Sequence, residues 1–145
     1  GKLNLSPMKI NTKIRYGMRA MIDIASSSNP DGVLQKDIAI HQDISLKYLD
    51  SIIAALKLKG LIANAKGKGS GYRLTRDPEN ITVWDIYTAF EPTIIVDCIE
   101  NKAFCDRSCN CLSRDYWIEF KKDLIELLSK KTLLQILNNN KKELS

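Results

Sequence analysis

Between Gly60 and Leu74 the chain reads Gly-Leu-Ile-Ala-Asn-Ala-Lys-Gly-Lys-Gly-Ser-Gly-Tyr-Arg-Leu, and this stretch restricts the fold more than any other. Leu61–Ala65 and Tyr72–Leu74 are two short strand-forming runs around Lys66–Gly71. Gly67, Gly69 and Gly71 give the turn backbone freedom to approach a surface closely, and Lys66 and Lys68 give that surface a preferred charge. A phosphate-loop reading fails, because the order Gly-x-x-x-x-Gly-Lys-Ser/Thr is absent and the flanks form a hairpin rather than a strand leading to a helix.

Three helices precede the hairpin. From Thr12, apolar residues recur at Ile14, Met18, Met21, Ile22 and Ala25, one helical face, until Ser26–Gly32 breaks the pattern. A short second helix is expected from Leu34 to His41 with Ile38 inward, ending at a Gln42-Asp43 turn before Ile44. Ser45 then caps a third helix whose buried face is Leu49, Ile52, Ile53 and Leu56 and which Gly60 stops. The last two make a helix-turn-helix. Ser45, Lys47, Tyr48 and Ser51 fall on the face opposite the apolar stripe, and hydroxyls, a cation and a phenol near a helix N-terminus suit base edges and phosphates. A solvated helix face is the plain alternative.

After the hairpin, Thr82-Val83-Trp84-Asp85 has capping-box form, with Ile81 and Ile86 placed as a hydrophobic staple. That helix continues through Tyr87 and Phe90 until Pro92. Trp117, Phe120, Leu124, Leu127 and Leu128 mark a stripe on a helix from Ser113 to Lys130, suited to dimerisation or to burial against its own domain. Leu133, Leu134, Ile136 and Leu137 form an apolar tail, and residues 138–145 are expected to fray.

The fold is therefore mainly α: a winged helix-turn-helix domain over residues 8–91 with a two-stranded β wing, a cysteine-containing loop over 92–111, and a long C-terminal dimerisation helix with its tail over 112–137. Residues 1–7 are polar and aperiodic, and Met8-Lys9-Ile10 reads as a natural start, so they are expected to be a leader outside the fold. A net charge of +5 and a pI near 9.0 favour approach to a polyanion if the cations share a face. No apolar stretch approaches the roughly 18 residues of a bilayer span, so a cytoplasmic location with no membrane partner is expected. There, clustered thiols are metal-binding or redox-active rather than structural disulfides.

Met8–Lys13 through Arg15-Tyr16, Ile44-Ser45-Leu46-Lys47-Tyr48-Leu49, Gly67–Leu74 with Gly71-Tyr72-Arg73-Leu74, and the cysteine loop followed by a long helix together resemble the Rrf2 family of bacterial winged-helix transcriptional regulators, from Met8 to about Leu137. The resemblance implies a homodimer whose C-terminal helices cross and whose two winged helices read the halves of an approximately palindromic double-stranded operator. It places Ser45, Lys47, Tyr48 and Ser51 in the major groove and Lys66 with Gly67 in the minor groove, with Lys68, Tyr72 and Arg73 completing the DNA-binding set. Relatives commonly carry Arg at the Lys66 position; Lys keeps the charge and loses the planar fork.

All four cysteines fall between Cys98 and Cys111. The family resemblance assigns Cys98, Cys105 and Cys111 to an iron–sulfur cluster, 2Fe–2S or 4Fe–4S. Five residues separate Cys105 from Cys111, as is usual there, but six separate Cys98 from Cys105, and Cys109 is an additional thiol, a candidate fourth ligand or a bystander. The non-cysteine ligand of relatives aligns with Arg114 or lies near Arg15, and a guanidinium stays protonated and cannot ligate. His41, the only histidine, reads as a surface residue, with ligation from a partner chain as the alternative. Zinc lacks the paired Cys-x-x-Cys knuckles of ribbons, and a thiol switch lacks Cys-x-x-Cys, so the order of preference is cluster, thiol redox, zinc.

The expected function is a homodimeric DNA-binding regulator, a repressor, that senses iron–sulfur status, redox state or nitric oxide; the alternative is a cluster-free thiol-redox or zinc-dependent regulator. An enzyme is not expected: Arg107 or Arg114 could lower a thiol pKa, but no catalytic constellation accompanies them. A winged helix that binds protein instead of DNA is the remaining class.

Overall fold

The computed structural model describes residues 12–91 and 112–143. The expectations placed on the leader, on Met8–Asn11, on Pro92 and on Cys98, Cys105, Cys109 and Cys111 lie outside the described residues.

Helix α1 (Thr12–Ser26) buries Ile14, Gly17, Ala20, Met21 and Ile24 at three- and four-residue spacing. Met18, Ile22 and Ala25, which the sequence pattern also turns inward, flank that row and pack half-buried against the core. Helix α2 (Gln35–Gln42) stops where Asp43 enters the left-handed region at φ 53°, and Ile44 N returns to Ala39 O at 3.0 Å. Helix α3 (Leu46–Leu58) starts at Ser45, whose hydroxyl accepts from Tyr48 N, and buries Leu49, Ile52, Ile53 and Leu56 as the apolar stripe requires. Gly60, at φ 82°, turns the chain out so that Leu61 N reaches Leu56 O at 3.0 Å.

Strands β1 (Ile62–Asn64) and β2 (Tyr72–Leu74) pair antiparallel, with Ile62 opposite Leu74 and Asn64 opposite Tyr72. Val33 adds one further rung: it exchanges backbone hydrogen bonds with Tyr72 at 2.9 and 2.8 Å, tying the α1–α2 loop to the hairpin. A 3-10 turn (Pro78–Asn80) leads into α4 (Val83–Phe90). The Thr82–Asp85 capping box forms, and both members of the expected staple, Ile81 and Ile86, are fully buried.

Helix α5 (Leu112–Lys130) follows the predicted bounds and packs on α4, yet within the described residues none of its side chains is buried. The tail departs from expectation. Instead of ending near Leu137 and fraying, it forms α6 (Leu133–Glu143), helical well into the stretch expected to be loose. The reason is local and tertiary together. Thr132 and Gln135 make a second capping box, with bonds of 3.0 and 3.2 Å, and the start of α6 is pinned to the α4 entry by Val83 N to Lys131 O and Leu133 N to Ile81 O. Leu133 is then fully buried beside Met21, Ile38, Leu49, Ile52, Leu56, Leu61, Ile81 and Ile86. That single side chain contributes about 2 kcal/mol and closes the core of the N-terminal domain with a C-terminal residue.

Candidate nucleic-acid interface

The sequence-predicted contact residues lie on two elements, the N-terminal half of α3 and the hairpin. On α3, Ser45, Lys47 and Ser51 are exposed. Ser45 Oγ is an acceptor for Tyr48 N at 3.1 Å, which leaves its own O–H to donate; Ser51 Oγ donates to Tyr48 O at 2.8 Å, which leaves its lone pairs to accept. The two exposed hydroxyls thus offer opposite hydrogen-bond characters to any partner. Tyr48 differs: it is half-buried, packs against the core, and meets Tyr16 edge to face at 5.6 Å. The helical-wheel reading put its whole ring on the solvent face; the core takes part of it.

α1 positions this helix. Arg19 donates from Nε to Gln42 Oε1 at 3.1 Å and from its terminal nitrogen to Gln42 O, and its guanidinium lies 5.0 Å from the Tyr16 ring centre. Asp23 accepts from Gln42 Nε2 at 3.2 Å and pairs with His41 Nδ1 at 3.0 Å. His41 is a surface residue, as read, and its partner is on α1. The C-terminal end of α2, where the chain turns into α3, is therefore gripped by α1 side chains, and Gln35 Nε2 ties α2 to α3 through Asp50 Oδ1.

At the wing, Gly67 and Gly69 have φ of 95° and 85°, and a Cβ on either would meet no described atom within 4 Å. They stand clear at the tip, flanked by exposed Lys66 and Lys68. Gly71 serves another purpose: a Cβ there would lie 2.4 Å from Gly32 C and 2.6 Å from Asp31 O, so the missing side chain permits backbone contact with the α1–α2 loop and not with an external surface. Ser70 shapes the turn, accepting from Lys66 N at 2.9 Å and donating to Gly67 O at 2.7 Å, while Asn64 Nδ2 holds Ser70 O at 3.0 Å. On β2 the alternation separates roles: Tyr72 packs on the core with Lys57 Nζ 5.6 Å from its ring centre, and Arg73 points to solvent and donates to Leu74 O at 3.0 Å. Lys36, Lys57 and Lys68 line one open groove between α2, α3 and the wing, a concentration of cations able to track a phosphate backbone.

Sequence reasoning missed Asp31, Asn64, Ser70, Tyr16 and Arg19. Asn29-Pro30-Asp31-Gly32 carries an evident turn signal, but nothing local places that turn against a hairpin far along the chain. Asp31 nonetheless pairs with Lys66 Nζ at 2.5 Å.

On α4, Tyr87 stacks on Trp84 at 6.3 Å, and its pKa is raised above the ordinary 10.0 by burial and then by Glu91. Arg114 on α5 is half-buried with Nε unpartnered among the described residues. The described residues hold no group of three or more metal-ligating side chains, and no described helix is long and apolar enough to cross a membrane.

The model of the Rrf2 family, described as an iron-dependent transcriptional regulator, matches residues 10–139. The protein rrf2 of Nitratidesulfovibrio vulgaris is 37% identical over 91% of this chain and 89% of its own length, and the regulator IscR of Vibrio campbellii is 31% identical over 92% and 79%. Among solved structures, T. potens IscR superposes with a TM-score of 0.71 at 32% identity, covering 92% of this chain and 88% of that one. CymR, the global cysteine regulator of B. subtilis, gives 0.67 at 28%, covering 92% and 98%. With the helix-turn-helix, the glycine-tipped wing and the long following helix in place among the described residues, the chain is a transcriptional regulator, not an enzyme, and belongs to the Rrf2 family.

Proposed function

We propose that the chain works as a homodimeric repressor in the cytoplasm, binding an approximately palindromic operator with α3 in the major groove and the wing in the minor groove. Ser45, Lys47, Tyr48 and Ser51 meet base edges and adjacent phosphates; Lys66 and Gly67 enter the minor groove; Lys68, Tyr72 and Arg73 follow the backbone. The observation that carries this reading is the wing tip: two glycines at positive φ with open space around them, alternating with two exposed lysines, on a hairpin whose base is fixed to the core. The second copy is supported by α5, an amphipathic helix that keeps Leu112, Tyr116, Ile118 and Leu127 exposed on its own.

For the signal, the donor chemistry of three soft thiolates suits an iron–sulfur cluster, which Cys98, Cys105 and Cys111 would hold, with Cys109 available as a fourth sulfur. When bound, such a group supplies sensitivity to oxidants, nitric oxide and iron supply. The likeness to CymR favours a second reading, a cluster-free thiol switch, since one of the similar structures is an oxidized form of Staphylococcus aureus CymR at 28% identity and a TM-score of 0.65.

The DNA reading is tested by gel shift on the DNA upstream of the protein's own gene at rising salt. Lys66→Ala should weaken binding about tenfold and flatten the salt slope by about one, whereas Lys130→Ala at the end of α5 should change little. Equal effects would remove the wing from the interface.

A further inference from the structure

Lys66 and Asp31 form an ion pair at the wing that folding does not explain. Their side chains are 67% and 60% exposed, and a pair that open to water adds little stability. Yet Asp31 is held in place by much stronger constraints than the pair itself. Its backbone N–H donates to Asn29 Oδ1 at 2.9 Å, Gly32 follows at φ 79°, Gly32 and Gly71 touch backbone to backbone, and Val33 is bonded twice to Tyr72. The α1–α2 loop is thus part of the wing's base and delivers one carboxylate to the cation at the wing's edge.

The geometry points to Asp31 as a specificity-determining residue that stands in for a DNA phosphate. This rests on the reading of the wing as a DNA contact. On random DNA the partner offered to Lys66 is a phosphate, an anion no better placed than the carboxylate it already has, so Lys66 stays with Asp31 and releases no counterion. On an operator, a narrow minor groove concentrates negative potential, draws Lys66 out of the pair and accepts it. Asp31 therefore lowers affinity for random sequence more than affinity for the operator, and discrimination, being a difference between the two, increases.

The test uses the full-length protein purified without oxygen and two 20-bp duplexes, one of random sequence and one enriched from a random pool by the wild-type protein, titrated by fluorescence anisotropy from 50 to 200 mM salt, where one added phosphate contact steepens the slope by about 0.9. For Asp31→Asn, random-duplex affinity should rise about threefold to tenfold and its salt slope should steepen by about one, while the slope on the enriched duplex stays unchanged. Glu79→Gln, the same charge change in the 3-10 turn, should alter random-duplex affinity by less than about twofold, and Asp31→Asn should have no effect in a Lys66→Ala background. Equal effects of Asp31→Asn and Glu79→Gln, or a gain that persists without Lys66, would overturn the inference alone. Lys66→Ala with no effect on either duplex would overturn the wing reading and this inference with it.

Discussion

The glycines of the wing look alike in sequence and differ in what they permit. Gly71→Ala would drive a methyl into Gly32 C and Asp31 O, backbone atoms with no rotamer to escape through, and should cost about 1–3 kcal/mol in urea unfolding while loosening the hairpin from Val33. Gly67→Ala meets only open space and should cost about 1 kcal/mol, the left-handed backbone alone. A reversed order would mean that the Gly32–Gly71 contact does not form in solution. The exposed placement of Ser45, Lys47, Ser51, Lys66 and Lys68 was legible because its pattern is local: hydroxyls and a cation at the start of a capped helix, lysines beside glycines. Asp31 and Tyr16 were not, since their meaning comes from partners that the fold supplies. Tyr87 gives a pH test at the same scale. Burial, then Glu91, raises its pKa, so the native state keeps the phenolic proton longer than the unfolded chain does. Its stabilisation is complete below about pH 10 and is lost as pH rises through the folded value. Tyr87→Phe should therefore flatten the fall of the urea midpoint on the alkaline side, and an unchanged slope would remove Tyr87 as its cause.

Among the elements, those with their own punctuation were predicted closely. Ser45 and Gly60 bracket α3, and Thr82 with Asp85 opens α4, because caps satisfy backbone donors and acceptors that no tertiary contact need supply. Helix α6 was read as a tail because its apolar run is short and Asn138-Asn139-Asn140 is a poor helix interior, while the Thr132–Gln135 capping box went unrecognised. Thr132→Ala should cost about 1 kcal/mol and unlatch α6 first, visible as faster amide exchange at Leu133 and Ile136 than at Leu56. For α5 the decisive fact is the lack of any buried side chain in a helix of 19 residues. A helix that long with Tyr116 and Leu127 facing water has not finished burying its surface. Leu127→Asp should shift the protein from dimer to monomer in sedimentation, abolish the dependence of Tm on protein concentration and weaken operator binding, while far-UV circular dichroism at low temperature changes little. A dimer that persists would place the interface elsewhere.

At the scale of the molecule, the question is how a segment joined to α4 and α5 could be felt at α3. From the end of α4, contacts run on to α3. A Cβ on Gly17 would sit 2.3 Å from Phe90 Cε2, so the end of α4 rests directly on the backbone of α1. The residue before Gly17, Tyr16, meets Tyr48 of α3 edge to face, and Arg19 of the same helix grips Gln42 at the end of α2. A shift of Phe90 therefore has a mechanical route to α3, and operator affinity measures whether that route couples. Protein isolated without oxygen, with iron and sulfide bound, and the same protein stripped of iron should differ in operator affinity by about 5- to 150-fold if the segment regulates binding. Tyr16→Ala should retain the iron and sulfide content and the absorption spectrum while bringing that ratio close to one, because it removes the link without touching a cysteine. A ratio unaltered by Tyr16→Ala would send the coupling through α5 and the second copy instead. Protein that never takes up iron or sulfide, yet changes its DNA affinity on thiol oxidation, would replace the cluster with the thiol switch and leave the same route to be tested with Tyr16.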